Sequence, residues 1–141
     1  VPPPAPAKEI QIFPTAPRSA DELYAAAMTD AARGEYDRAI TELRAFLAQH
    51  PQDPRVPEAR LRLADAYLAR GRYAEAVSEY ESLTWDFPDS PLGPTALFRQ
   101  GEARLALGDP AGCEVLREAL ARYPDAPEAT LAREALFARC P

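Results

Sequence analysis

Apolar residues along this chain fall at helical spacing, and they do so in blocks that recur. In one block Leu61, Ala64 and Leu68 stand at i, i+3 and i+7, with Leu63 and Tyr67 beside them. A glycine follows each such block, at Gly34, Gly71 and Gly108, 37 residues apart. Glycine fits a helix end that needs a positive φ. A second helical stretch then runs to Pro51, Pro88 or Pro124, where proline cannot continue it. The three stretches read "GEYDRAITELRAFLAQHP", "GRYAEAVSEYESLTWDFP" and "GDPAGCEVLREALARYP". The pattern predicts helices over 20–33 and 36–49, 56–70 and 73–86, and 93–107 and 110–122. A last helix over 127–139 has no partner after it. Turns this short make neighbouring helices antiparallel. One helical pair cannot bury its own stripe, so the units must stack and bury it on each other.

Small residues set the stacking distance. Ala27, Ala64 and Gly101 share one position of the first helices, and Ala39 and Ala76 share one position of the second. Ser19 is an N-cap candidate, and Asp21 and Glu22 suit the positive end of the first helix. Residues 1–18 hold six of the sixteen prolines and read as an extended tether, with "IQIF" (Ile10–Phe13) as its one apolar segment. The expected organisation is a linker over 1–18 and a repeat domain over 19–141. Its repeats cover about 20–53, 56–90 and 93–124, and a capping helix covers about 127–139. Val1 in place of Met is expected of a trimmed or mature fragment.

Charge and composition remove several function classes. A net charge of −6 argues against nucleic acid, which needs a clustered basic surface. No apolar run reaches the roughly 18 residues of a membrane span. One histidine, His50, and two cysteines fall short of the three or four convergent ligands of a zinc-type site. No Gly-rich phosphate loop stands out, and no serine or cysteine lies near His50 in sequence. The reading is therefore no enzyme, no metal and no cofactor. His50 reads as a residue favourable at the negative end of a helix. Pairs such as Glu58 and Arg62 read as solvated i, i+4 contacts.

The stretch "LADAYLARGRYAEAVSEYESL" (Leu63–Leu83) resembles a tetratricopeptide repeat. Ala64 and Tyr67 fit its first helix, Gly71 its turn, Tyr73, Ala76 and Tyr80 its second helix, and Pro88 its close. That resemblance covers residues 20–139. It implies an all-α right-handed superhelix of three helix pairs plus a C-terminal capping helix, and a protein-binding function. The period of 37 is longer than the usual 34 or so, the extra residues lying in the Pro-rich connections. A narrower resemblance rests on "LYAAAM", "GEYDRAI", the "PDSP" connection and the closing "YPDAPEA". These are similar to the C-terminal domain of the periplasmic Tol–Pal accessory proteins, the YbgF/CpoB family. That similarity implies a periplasmic scaffold that binds TolA and couples peptidoglycan synthesis to envelope constriction. It also implies an upstream trimerising region. Asp30 and Arg104 depart from the pattern where the second repeat has Tyr67, and the third repeat is one residue short between Gly108 and Leu116.

In the frame of that resemblance the first helices line the concave side. Their inward positions are Tyr24, Met28 and Ala31, then Leu61, Asp65 and Leu68, then Phe98, Glu102 and Leu105. Anchors with acids between them suit a segment carrying apolar side chains and a lysine or arginine. For Leu61, Leu68 and Leu105 plain core burial is the competing reading. Trp85 is expected to pack beneath the loop near Phe87, and left exposed it would be a hot-spot candidate. Cys113 and Cys140 lie equally far from the turn near 124–127 and should face each other across the last hairpin. In an oxidising compartment they can bond, pinning the last helix; the alternative is two separate thiols.

Three functions remain. The first is a Tol–Pal scaffold binding a TolA segment. The second is another envelope adaptor, for outer-membrane protein assembly or pilus biogenesis. The third is a structural tether that self-associates.

Overall fold

A computed structural model describes residues 2–3 and 18–141 of the chain. The expected tether, with its IQIF segment, lies almost entirely outside the described residues. Seven helices follow: α1 (Ala20–Ala32), α2 (Tyr36–Gln49), α3 (Val56–Ala69), α4 (Tyr73–Asp86), α5 (Gly93–Leu107), α6 (Ala111–Arg122) and α7 (Ala129–Arg139). No strand occurs among the described residues. Each helix packs on the next, and α7 packs on α6 and back on α5. Among the described residues no helix is long and apolar enough to cross a membrane.

The helix boundaries follow from backbone chemistry. Gly34, Gly71 and Gly108 have φ of 77°, 73° and 85°. Around each, the same two hydrogen bonds close the first helix. Gly34 N donates to Ala31 O at 3.1 Å and Glu35 N to Asp30 O at 2.8 Å, and the pattern recurs at Gly71 and Gly108. This pair of bonds uses two carbonyls that the helix end leaves unpaired. Only the carbonyls of Asp30 and Arg104 are needed there, so losing the Tyr67-type ring does not break the turn. The second helices stop for a different reason. His50, Phe87 and Tyr123 each precede a proline and take φ near −130° with ψ near 60°. The ring of a following proline disfavours the α region for the residue before it. At the front, Glu22 N donates to Ser19 Oγ at 3.1 Å, the expected cap.

The core has two contiguous parts. One runs from α1 to α5 through Leu23, Leu43, Phe46, Leu63, Tyr80, Leu83 and Ala103. The other joins α5, α6 and α7 through Phe98, Leu116, Ala129 and Ala132. Ala27, Ala39, Ala64 and Ala76 are fully buried where paired helices cross. In the third pair glycines take these places. A Cβ on Gly101 would meet Leu116 Cδ2 at 2.6 Å, and one on Gly112 would meet Gly101 O at 2.7 Å. Gly112 is the third counterpart of Ala39 and Ala76, displaced by the residue missing after Gly108.

Cys113 and Cys140 are joined by a disulfide with Cα atoms 6.0 Å apart. It fastens the end of α7 to the start of α6. Arg139 adds a bond to Leu105 O at 2.9 Å, and Arg117 one to Pro141 O at 3.1 Å.

Gly112→Ala forces a methyl onto a backbone carbonyl that cannot swing away. It should lower stability by about 1–3 kcal/mol in urea unfolding, whereas Ala111→Gly should cost less than 1 kcal/mol or so. Reducing the disulfide should lower stability by about 2–4 kcal/mol. Amide exchange should then speed up first in α7, and retained protection there would show that packing alone holds it.

Candidate protein-binding site

The repeat resemblance assigns the inner side to α1, α3 and α5, at the positions named above. Tyr24 is half-buried, its ring 5.7 Å from that of Phe46. The Arg55 guanidinium lies 5.0 Å over the same ring. Burial pushes the Tyr24 phenol pKa up, and the charge of Glu58 adds to this. Arg55 is itself held by Asp53, with bonds of 3.0 Å to each carboxylate oxygen, and by Asp21 at 2.8 Å. Those bonds to Arg55 bring the Asp53 carboxyl down to about 2. Met28 and Leu68 are half-buried against the first core.

Asp65 is engaged internally. Tyr80 Oη donates to its Oδ1 at 2.6 Å, and Arg99 Nη1 donates to its Oδ2 at 2.5 Å. Tyr80 is fully buried. Burial, then the charge of Asp65, pushes its phenol well above the usual range. For Arg99, burial pulls downward most strongly, but the charge and hydrogen bond of Asp65 together with the Tyr80 and Glu128 charges outweigh it, so the guanidinium stays charged. One carboxylate thus ties α3 to α4 and to α5. Glu102 lies one turn beyond Arg99 on α5. Its pKa is raised by burial first, with Arg99 opposing and the Glu128 charge adding to the rise. It forms no ion pair among the described residues. Glu128, from the turn before α7, accepts from Thr95 Oγ1 at 2.7 Å through Oε1, while its Oε2 is buried without a partner.

Three of the expected groove anchors offer no surface. Leu61 is 5% exposed, Leu105 8% and Phe98 is closed to solvent. Leu61 belongs to the first core, and Phe98 and Leu105 pack in the second with residues of α6 and α7. Of the residues the resemblance placed inward, Tyr24, Met28, Asp65, Leu68 and Glu102 keep part of their surface, and Arg55, Glu58, Arg99 and Glu128 act on them by contact or charge. Glu58 and Arg62 pair at 2.9 Å. Trp85 corrects another expectation. It does not pack beneath the loop; it is 86% exposed, while Leu83 and Tyr80 take the buried face of α4. His50 caps α2, its Nε2 3.2 Å from Arg18 O and its ring 5.9 Å from Phe46.

Stacked antiparallel helix pairs with a lined inner face define a helical-repeat scaffold. Tetratricopeptide-repeat family models match residues 24–91 and 95–126, and the chain carries a tetratricopeptide repeat domain. The TPR domain of OM64 from Arabidopsis is similar, with a TM-score of 0.70 and 15% identity over 84% of this chain and 94% of that one. PcrH from Pseudomonas aeruginosa matches with a TM-score of 0.66 and 21% identity over 86% of this chain and 88% of that one. Both share the fold. No curated protein matches the chain. Tetratricopeptide repeats are in general non-catalytic scaffolds for protein interaction.

Tyr80→Phe removes a buried donor and should cost about 1–2 kcal/mol. Asp65→Ala strands both Tyr80 and Arg99 and should cost about 3 kcal/mol or more by the same denaturation measurement. Glu102 has a folded pKa raised above its ordinary 4.5, so its contribution is most favourable below 4.5 and is lost as pH rises through the folded value. Glu102→Gln should therefore raise the melting temperature at pH 7, and the gain should shrink toward pH 4. A gain that is independent of pH would mean the carboxylate is not the cause.

Proposed function

We propose that the domain is a periplasmic Tol–Pal accessory scaffold whose concave face binds a segment of TolA carrying apolar side chains and a basic residue. The observation that carries the groove reading is the carboxylate pair at its C-terminal end. Glu102 lacks an ion-pair partner among the described residues, and Glu128 buries an oxygen without one. A half-buried carboxylate with no hydrogen-bonded cation is costly, and a lysine or arginine from a partner would relieve that cost. Tyr24 and Leu68 supply half-buried apolar surface along the same side. The choice of TolA rests on the resemblance of the "LYAAAM", "GEYDRAI" and "YPDAPEA" stretches to the YbgF/CpoB family. The Cys113–Cys140 bond supports an oxidising compartment such as the periplasm. In that role the domain couples envelope constriction to peptidoglycan synthesis. A homo-oligomer would form through a region ahead of this domain.

A second reading, a self-associating tether, is favoured by the outer face of α7. Phe137 is 93% exposed and Leu131 62%, at the end of the array where another copy could stack.

Calorimetric titration with the TolA periplasmic region of the same organism tests the first reading. Saturable binding should weaken about tenfold or more in Tyr24→Ala and in Glu102→Arg. Asp65 is unsuited to this test, since its loss would loosen the fold. Absence of binding would remove TolA. Mass that rises with concentration in light scattering and falls back in Phe137→Glu would establish the tether.

A further inference from the structure

The outer face of the array holds a feature the concave groove does not use. Between α4 and α6 runs a cleft of about 730 Å³, with Ser82 and Trp85 on one wall and Glu118 and Arg122 on the other. Leu97 and Gln100 of α5 supply its buried part. Gln100 is a buried polar side chain at 8% exposure. Its Nε2 donates to Glu81 Oε1 at 3.3 Å, and its carbonyl oxygen accepts from no group among the described residues. The cleft thus combines an apolar depth, a free acceptor and a tryptophan at its rim.

The state of the aromatic rings says what the rim accepts. Arginine guanidiniums lie over Tyr24, Phe46, Tyr67, Phe87 and Tyr123 within 6 Å of each centroid. None lies over Trp85 among the described residues, although an indole is the best cation–π acceptor. Its face stands in solvent at 86% exposure. The cleft's own lining carries the carboxylates of Glu81, Asp86 and Glu118 against one arginine, Arg122, and the chain as a whole carries a charge of −6. A second copy of the chain would bring the same negative charge to the cleft, whereas a basic segment is drawn to it.

We propose that this cleft is a second docking site, on the convex face, for a helical partner segment bearing an arginine or lysine beside a large apolar residue. The cation stacks on Trp85, the apolar side chain enters over Leu97, and a donor on the segment meets the Gln100 carbonyl. The site is separate from the concave groove and does not depend on the TolA assignment.

Trp85 is the only tryptophan, so its emission reports on the cleft directly. The probe is an amphipathic helical peptide of arginine, leucine and alanine, with a matched peptide carrying glutamate in place of arginine. The arginine peptide should shift Trp85 emission to shorter wavelength in a saturable way, and the glutamate peptide should not. In a Glu102→Arg background, which removes the concave acid, anisotropy of the fluorescein-labelled arginine peptide should show about tenfold weaker binding once Trp85→Ala or Ser82→Arg is added, the latter placing a cation in the cleft. Both positions are solvent-facing or half-buried, and unchanged circular dichroism melts will confirm that the variants fold. Tyr24→Ala and Glu102→Arg on the concave face should leave the Trp85 emission shift and its half-saturation unchanged. Equal binding by Trp85→Ala, equal binding of the glutamate peptide, or loss only in the concave variants would each overturn the proposal. A blue shift on concentration without peptide, with doubled mass in light scattering, would overturn it in favour of a second copy.

Discussion

Everything in this molecule depends on how closely the two helices of each pair can approach. A hairpin of helices buries an apolar stripe only if the backbones come near enough for that stripe to reach its neighbour. At each crossing the side chains are reduced to a methyl or to nothing: Ala27 and Ala39, Ala64 and Ala76, Gly101 and Gly112. In the third pair the approach is so tight that a Cβ on Gly112 would lie 2.7 Å from a carbonyl oxygen. Larger residues there would spread the pair and leave Leu116 and its neighbours short of contact. The stack of repeats, and the groove it makes, follow from that spacing.

The helices were legible because their stops are local. Glycine at positive φ and an aromatic or histidine before proline act within a few residues, so their spacing in sequence is their spacing in space. The start of α7 was less legible. Pro127 and Glu128 stay in the turn, where Ala129 N bonds to Ala126 O at 3.0 Å, a choice that depends on packing against α5. The third small crossing residue was hidden by the missing residue after Gly108, which shifts the register by one.

The concave face was legible as a phase but not as a surface. The frame of the repeat resemblance puts Leu61, Phe98 and Leu105 on the inner side. Whether an inner residue meets a partner or a neighbouring helix depends on residues far away in sequence, such as Ala129, Ala132 and Arg139 of α7. The same holds for Asp65, whose role is set by Tyr80 and Arg99 on two other helices. Trp85 shows the converse. Large aromatics are usually buried, and here the two faces of α4 that could have buried it are already filled by Tyr80 and Leu83.

The bond between Cys113 and Cys140 also fixes how the domain carries load. A pull on the chain beyond Cys140 passes through sulfur to Cys113 and enters the body at the start of α6. The stretch between, including the turn at Pro124–Pro127 and all of α7, bears none of it. Hydrogen bonds in that stretch are thus outside the force path, and the last helix keeps its shape under tension that would peel an unbonded one. Pulled from its two ends, the domain would then yield at its front, where α1 has no such tie, before it yielded at its back.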